Sequence, residues 1–111
     1  MTKKIAFVLL LFIVHFAQSG INYNLLRFNH YGNEDGLPQN VVTTVHQDSK
    51  GYLWIGTNDG LARFNGYEFE KMYYDPYSSN SLIGNNILHI CNFNPNVLMI
   101  TTTIGVSFYD I

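Results

Sequence analysis

From Val41 onward the chain breaks into short segments rich in Val, Thr, Tyr, Phe and Ile, separated at short intervals by glycine turns. β-branched and aromatic residues suit a pleated, half-buried surface, so these segments predict strands. The first runs over Val41 to Gln47 and ends at Asp48-Ser49-Lys50-Gly51, where Asp can bond its own following backbone and Gly accepts a positive φ. Tyr52 to Thr57 is the second. Asn58-Asp59-Gly60 then predicts a tight hairpin of type I′, with positive φ at both central residues. Leu61 to Phe64 is the third strand, Asn65-Gly66 the next hairpin, and Tyr67 to Tyr73 the fourth. Four strands joined by tight turns predict an antiparallel meander.

After a polar connection, Tyr74-Asp75-Pro76-Tyr77-Ser78-Ser79-Asn80, the pattern starts again with strands predicted over Ile87 to Asn92, Val97 to Thr102 and Val106 to Asp110. Gly36–Gly66 aligns without a gap to Ser81–Ile111, an offset of 45 residues. Leu37, Asn40, Leu53, Ile55, Thr57 and Gly60 meet identical residues at 82, 85, 98, 100, 102 and 105, and Val42, Val45, Leu61, Phe64 and Asn65 meet conservative ones. A period of about 40 to 50 residues built from β segments predicts blades of a β-propeller, whose repeats bury their faces against neighbouring copies. The expected organisation is an all-β fold of incomplete propeller, about two blades: a complete blade over 36–80 and a second, lacking its outer strand, over 81–111. Residues 20–35 hold a strand-like stretch, Leu25 to Tyr31, expected to serve as a ring-closing outer strand. A closed propeller needs about four blades or more, so the remaining blades of a longer chain are the expected partners.

The opening of the chain is different in kind. Lys3 and Lys4 precede an apolar run from Ile5 to Phe16, broken only by His15, and Ala17-Gln18-Ser19 offers the small residues that signal peptidase accepts. Residues 1–19 are therefore read as a secretory signal peptide, implying export to the periplasm and no other membrane contact. The run is shorter than the roughly 20 residues that span a bilayer. Without Lys3 and Lys4 the chain has four basic against eight acidic residues, which does not suggest a nucleic-acid surface. Cys91 is the only cysteine, so no internal disulfide can form, and a packed thiol is expected there.

Two runs, Glu34-Asp35-Gly36-Leu37-Pro38-Gln39-Asn40 and Gln47-Asp48-Ser49-Lys50-Gly51-Tyr52-Leu53-Trp54-Ile55-Gly56-Thr57-Asn58-Asp59-Gly60-Leu61, resemble the two-component regulator propeller repeat. They are similar in particular to the start of the periplasmic sensor region in hybrid two-component histidine kinases of Bacteroidetes. The resemblance reaches from about Leu25 to Asp110. The second blade departs from it, with Met99 for Trp54, Thr101 for Gly56, Phe93 for Asp48 and Asn96 for Gly51. The resemblance implies a receptor role, in many relatives for oligosaccharides released from polysaccharides. The kinase, receiver and DNA-binding parts of such proteins are not in these 111 residues. The expected chain is thus the N-terminal fragment of an extracytoplasmic sensor, without catalytic activity of its own. A truncated remnant, or part of a propeller enzyme acting on polysaccharide, are the alternatives.

The repeat-motif residues Asn40, Asp48, Gly51, Trp54, Gly56, Thr57, Gly60 and Leu61 are expected to be structural. Trp54 lies mid-strand, where packing outweighs sugar stacking. Gly56 is expected to let an adjacent backbone approach closely. The candidates for ligand contact are Tyr73, Tyr74 and Tyr77, which put aromatic platforms beside hydrogen-bonding groups on a connection at one face of a blade. His30, His46 and His89 lack zinc-site spacing, and no cofactor is implied. Glu68 and Glu70 share one side of a predicted strand and are read as a solvated face rather than a glycosidase pair.

Overall fold

The computed structural model describes residues 3, 4 and 26–111. The signal-peptide reading of residues 1–19 concerns segments that lie almost wholly outside them. Among the described residues, seven strands follow in chain order: β1 (Val42–Gln47), β2 (Leu53–Thr57), β3 (Gly60–Phe64), β4 (Phe69–Met72), β5 (Ile87–Asn94), β6 (Val97–Thr102) and β7 (Gly105–Asp110). They form two antiparallel sheets, β1-β2-β3-β4 and β5-β6-β7, each strand paired with its sequence neighbour. This is the expected pair of meanders, one of four strands and one of three.

The sheets face each other because strand alternation gives each an apolar side. Trp54 and Leu61 of the first sheet meet Ile87, Ile90, Leu98 and Ile100 of the second, with Leu82 closing the layer. Each is buried to 7% exposure or less, and full burial of such side chains contributes about 1.5–3 kcal/mol apiece. On the far side of the first sheet, Ile55 and Ala62 pack under Leu37, flanked by Leu53, Phe64 and Phe69. Polar contacts also cross between the sheets. The Thr43 hydroxyl donates to the Ile87 carbonyl at 2.7 Å, the Ser49 hydroxyl to the Pro95 carbonyl at 2.8 Å, and the Gly60 N–H to the Asn85 carbonyl at 2.7 Å. The His46 Nε2 lies 3.0 Å from the Asn92 side-chain oxygen.

Two local expectations are corrected. The β2–β3 hairpin is not a type I′ turn: Asn58 and Asp59 keep negative φ, and only Gly60, at φ 123°, is left-handed. The Thr57 hydroxyl explains this, since it accepts the Asp59 N–H (3.2 Å) and donates to the Gly60 carbonyl (2.7 Å), confining the left-handed residue to the end of the turn. Gly56 is crowded by side chains, not by backbone. A Cβ there would lie 2.6 Å from both Ile87 Cγ2 and Thr44 Cγ2. Residues 26–31, whose expected partner is a blade completed by other parts of a longer chain, lie beside no described strand and form none. Tyr31 instead packs on Phe64 and Phe69, at ring separations of 5.4 and 5.7 Å, and a 3-10 turn over Asn33–Asp35 leads to Gly36.

Candidate functional site

The connection from β4 to β5 is held rigid by its own polar residues. Asn85 accepts the Tyr74 N–H through its side-chain oxygen at 2.7 Å, and the Ser81 hydroxyl accepts the Asp75 N–H at 2.9 Å. The Asp75 side chain accepts the Tyr77 N–H at 2.9 Å, and its carbonyl accepts the Ser78 N–H at 3.2 Å. The same connection forms the rim of a cleft of about 640 Å³ whose floor is apolar, with Leu61, Leu82 and Ile100, and whose far wall is β7.

Of the three candidate tyrosines, the structure brings two to this cleft. Tyr73 and Tyr74 line it at roughly half exposure, while Tyr77 stands apart from it and is 97% exposed. Tyr73 also presses on the β2–β3 turn, where a Cβ on Gly60 would meet its ring at 2.6 Å. Its ring therefore has a packing task whatever else it contacts. Tyr109, absent from the sequence-based candidates, contributes a further aromatic wall and stacks edge-on against Trp54 at 4.8 Å. The repeat offset could have pointed to it, because Tyr109 is the counterpart of Phe64 on a strand with no fourth neighbour.

The repeat-motif residues lie in turns and in the layer between the sheets. Asp48 is 6% exposed and accepts three hydrogen bonds: Lys50 N–H (2.9 Å) and Tyr52 N–H (3.0 Å) at one oxygen, and the Trp54 indole N–H (2.8 Å) at the other. Gly51 takes φ 90° where this turn closes, and its N–H donates to the Asp48 carbonyl at 3.1 Å. Trp54 and Leu61 are wholly buried, as is Thr57 in its turn. Asn40 accepts the Asn33 N–H at 2.8 Å, as its counterpart Asn85 does for Tyr74. None of these side chains opens onto the connection, apart from Leu61 at the floor of the cleft.

Arg63 lies beside Trp54, with its guanidinium 4.9 Å from the Tyr52 ring centroid and 5.7 Å from that of Trp54. It pairs with Glu70, so one of the two neighbouring carboxylates is held in an ion pair. Tyr52, Arg63, Glu68 and Glu70 line a smaller, polar cleft of about 420 Å³. Cys91, on the face of the second sheet turned away from the first, is a half-buried free thiol.

Residues 36–59 match the family model of the two component regulator propeller. A 48-residue stretch, 43% of this chain, is 44% identical to Histidine kinase P4 of Formosa agariphila. The extracellular domain of a hybrid two component system from B. thetaiotaomicron shares the fold over 74% of this chain, with a TM-score of 0.68 and 32% identity. The chain spans 4% of the length of the kinase and 12% of the solved chain.

Proposed function

We propose, from the two-component regulator propeller repeat this chain carries, that it forms part of the extracytoplasmic sensor region of a hybrid two-component system, binding a ligand rather than transforming one. The observation that carries this reading is the likeness to an extracellular domain of that kind across three quarters of the chain, at a TM-score of 0.68. Periplasmic export through the N-terminal apolar segment belongs to the same proposal. No helix among the described residues is long and apolar enough to cross a membrane.

The proposed ligand is an oligosaccharide. The support is chemical: Tyr74 and Tyr77 present exposed rings on a connection stiffened by the hydrogen bonds of Asp75, Ser81 and Asn85, and Ser78, Ser79 and Asn80 add donors and acceptors beside them. Aromatic faces and fixed polar groups on a rigid scaffold suit a neutral, hydroxyl-rich ligand. Screening the immobilised chain against a panel of oligosaccharides should give saturable binding to one class, weakened about tenfold by Tyr74→Ala, as expected for the loss of roughly 1.4 kcal/mol. Binding to none of the panel, or binding indifferent to Tyr74→Ala and Tyr77→Ala alike, would contradict the assignment of the ligand to this connection.

A further inference from the structure

At three places in the chain Asn or Asp precedes Gly: Asp35-Gly36, Asp59-Gly60 and Asn65-Gly66. Glycine has no Cβ to shield its backbone nitrogen, so at such a pair that nitrogen can close a ring onto the carbonyl carbon of the preceding side chain. Two of the three nitrogens are engaged elsewhere. The Gly60 N–H donates to the Asn85 carbonyl at 2.7 Å, and the Tyr73 ring and Pro38 fill the space beside its Cα. The Gly36 N–H donates to the Asn33 carbonyl at 3.3 Å, with Phe69 against its Cα. Asn65-Gly66, in the β3–β4 turn, is arranged the other way. Among the described residues the Gly66 N–H has no protein acceptor, and nothing beyond its chain neighbours lies within 4 Å of where a Gly66 Cβ would stand. The next residue, Tyr67, is 95% exposed, so water reaches the turn. The Asn65 Oδ1 meanwhile accepts the Tyr67 N–H at 2.9 Å and the Glu68 N–H at 3.0 Å.

We propose that Asn65 is a site of self-modification, which deamidates through a cyclic imide while the chain is folded. The Gly66 nitrogen gives its proton to water and bonds to Asn65 Cγ. The Cγ–Nδ2 bond breaks, and Nδ2 takes up a proton and leaves as ammonia. In the tetrahedral intermediate negative charge develops on Oδ1, which already faces two fixed backbone N–H donors, the arrangement that stabilises an oxyanion. Water then hydrolyses the imide at one of its two carbonyl carbons. Opening at Cγ leaves aspartate, and opening at the main-chain carbon leaves isoaspartate, whose backbone runs through Cγ. The two products differ in their effect on the fold. Aspartate keeps an acceptor for both N–H groups, and an aspartate, Asp110, is the counterpart of Asn65 in the second repeat. Isoaspartate lengthens the main chain by one carbon between β3 and β4. That displaces Phe69 from Phe64, on which it stacks at 4.5 Å, and Glu70 from Arg63. The inference is independent of ligand binding, which is assigned to the connection after β4.

Peptide mapping by mass spectrometry tests it, on the full chain aged in neutral buffer and in the same buffer with guanidinium chloride. In the folded chain Asn65 should lose its amide before any other asparagine, and no more slowly than in denaturant. Isoaspartate at Asp59 should appear in denaturant alone, because folding ties up the Gly60 nitrogen. Earlier loss at another asparagine, or slower loss at Asn65 in the folded chain than in denaturant, would overturn the proposal. Gly66→Ala sets a methyl beside the attacking nitrogen and should slow the loss about tenfold; an unchanged rate would place the chemistry elsewhere. Asn65→Asp should leave the urea midpoint where it is, while material aged to isoaspartate unfolds at lower urea. An equal drop in both would contradict the role given to the longer main chain.

Discussion

The first sheet closes its β1–β2 turn around a buried carboxylate bonded to an indole, whereas the second closes the corresponding turn with neither. At the counterpart of Asp48 stands Phe93, at a register shift between Asn92 and Asn94, and β5 continues to Asn94 before a tight Pro95-Asn96 turn. There the Asn94 side chain accepts the Asn96 N–H at 2.9 Å. The counterpart of Trp54 is the half-buried Met99. Other devices are kept in both sheets. Thr102 repeats the hydroxyl bonds of Thr57, donating to the Gly105 carbonyl at 3.0 Å, and Thr103 N–H to Asn86 carbonyl repeats Asn58 N–H to Val41 carbonyl. The Thr57 and Asn58 bonds thus have counterparts in the second sheet, while Asp48, Gly51 and Trp54 have none. A buried carboxylate stripped of its donors is costly, and so is a buried indole without an acceptor, which gives the group a reason to stand or fall as a unit.

Trp54→Ala is expected to have the largest effect, removing a wholly buried indole from the layer between the sheets at a cost of about 3–5 kcal/mol. That is comparable to the entire stability of a small domain. Urea unfolding followed by far-UV circular dichroism should show the loss, whereas Met99→Ala, on a half-exposed face, should cost about 1 kcal/mol. Similar costs for the two would remove the asymmetry between the sheets.

Gly56→Ala comes next. The added methyl must displace both Ile87 and Thr44 from 2.6 Å, and overpacking of this kind costs about 1–3 kcal/mol. Its counterpart in the second sheet, Thr101, already carries a side chain, so Thr101→Ala should change the urea midpoint by less than about 0.5 kcal/mol equivalent. A neutral Gly56→Ala would mean that the two sheets do not approach as closely as described.

Strand positions were legible because alternation and glycine turns are local signals. Val97–Thr102 coincides with the expected segment, and every other strand begins and ends within two residues of its expected bounds, β4 starting at Phe69 rather than Tyr67 and β5 ending at Asn94 rather than Asn92. The turn chemistry was less legible. Asn58-Asp59-Gly60 reads as a type I′ turn until the Thr57 hydroxyl is placed, and a side chain before the turn is invisible to a rule that weighs only its central residues. Asp48 could be placed in a turn and Trp54 in a packed layer, but the bond between them depends on how the strand returns past the turn. Of the candidate site, the tyrosine-bearing connection was readable as a sequence of platforms and polar groups. The cleft behind it was not, since it arises from Leu61, Ile100 and β7 meeting across two sheets.

The most direct test is a double-mutant cycle that writes the second sheet's residues into the first: Asp48→Phe, Trp54→Met and the two combined, each measured by urea unfolding. The interdependence of carboxylate and indole predicts that the double variant is more stable than the sum of the single changes by about 1–2 kcal/mol. Additive losses within about 0.5 kcal/mol would show that the two residues act separately, and that their joint replacement in the second sheet has another cause.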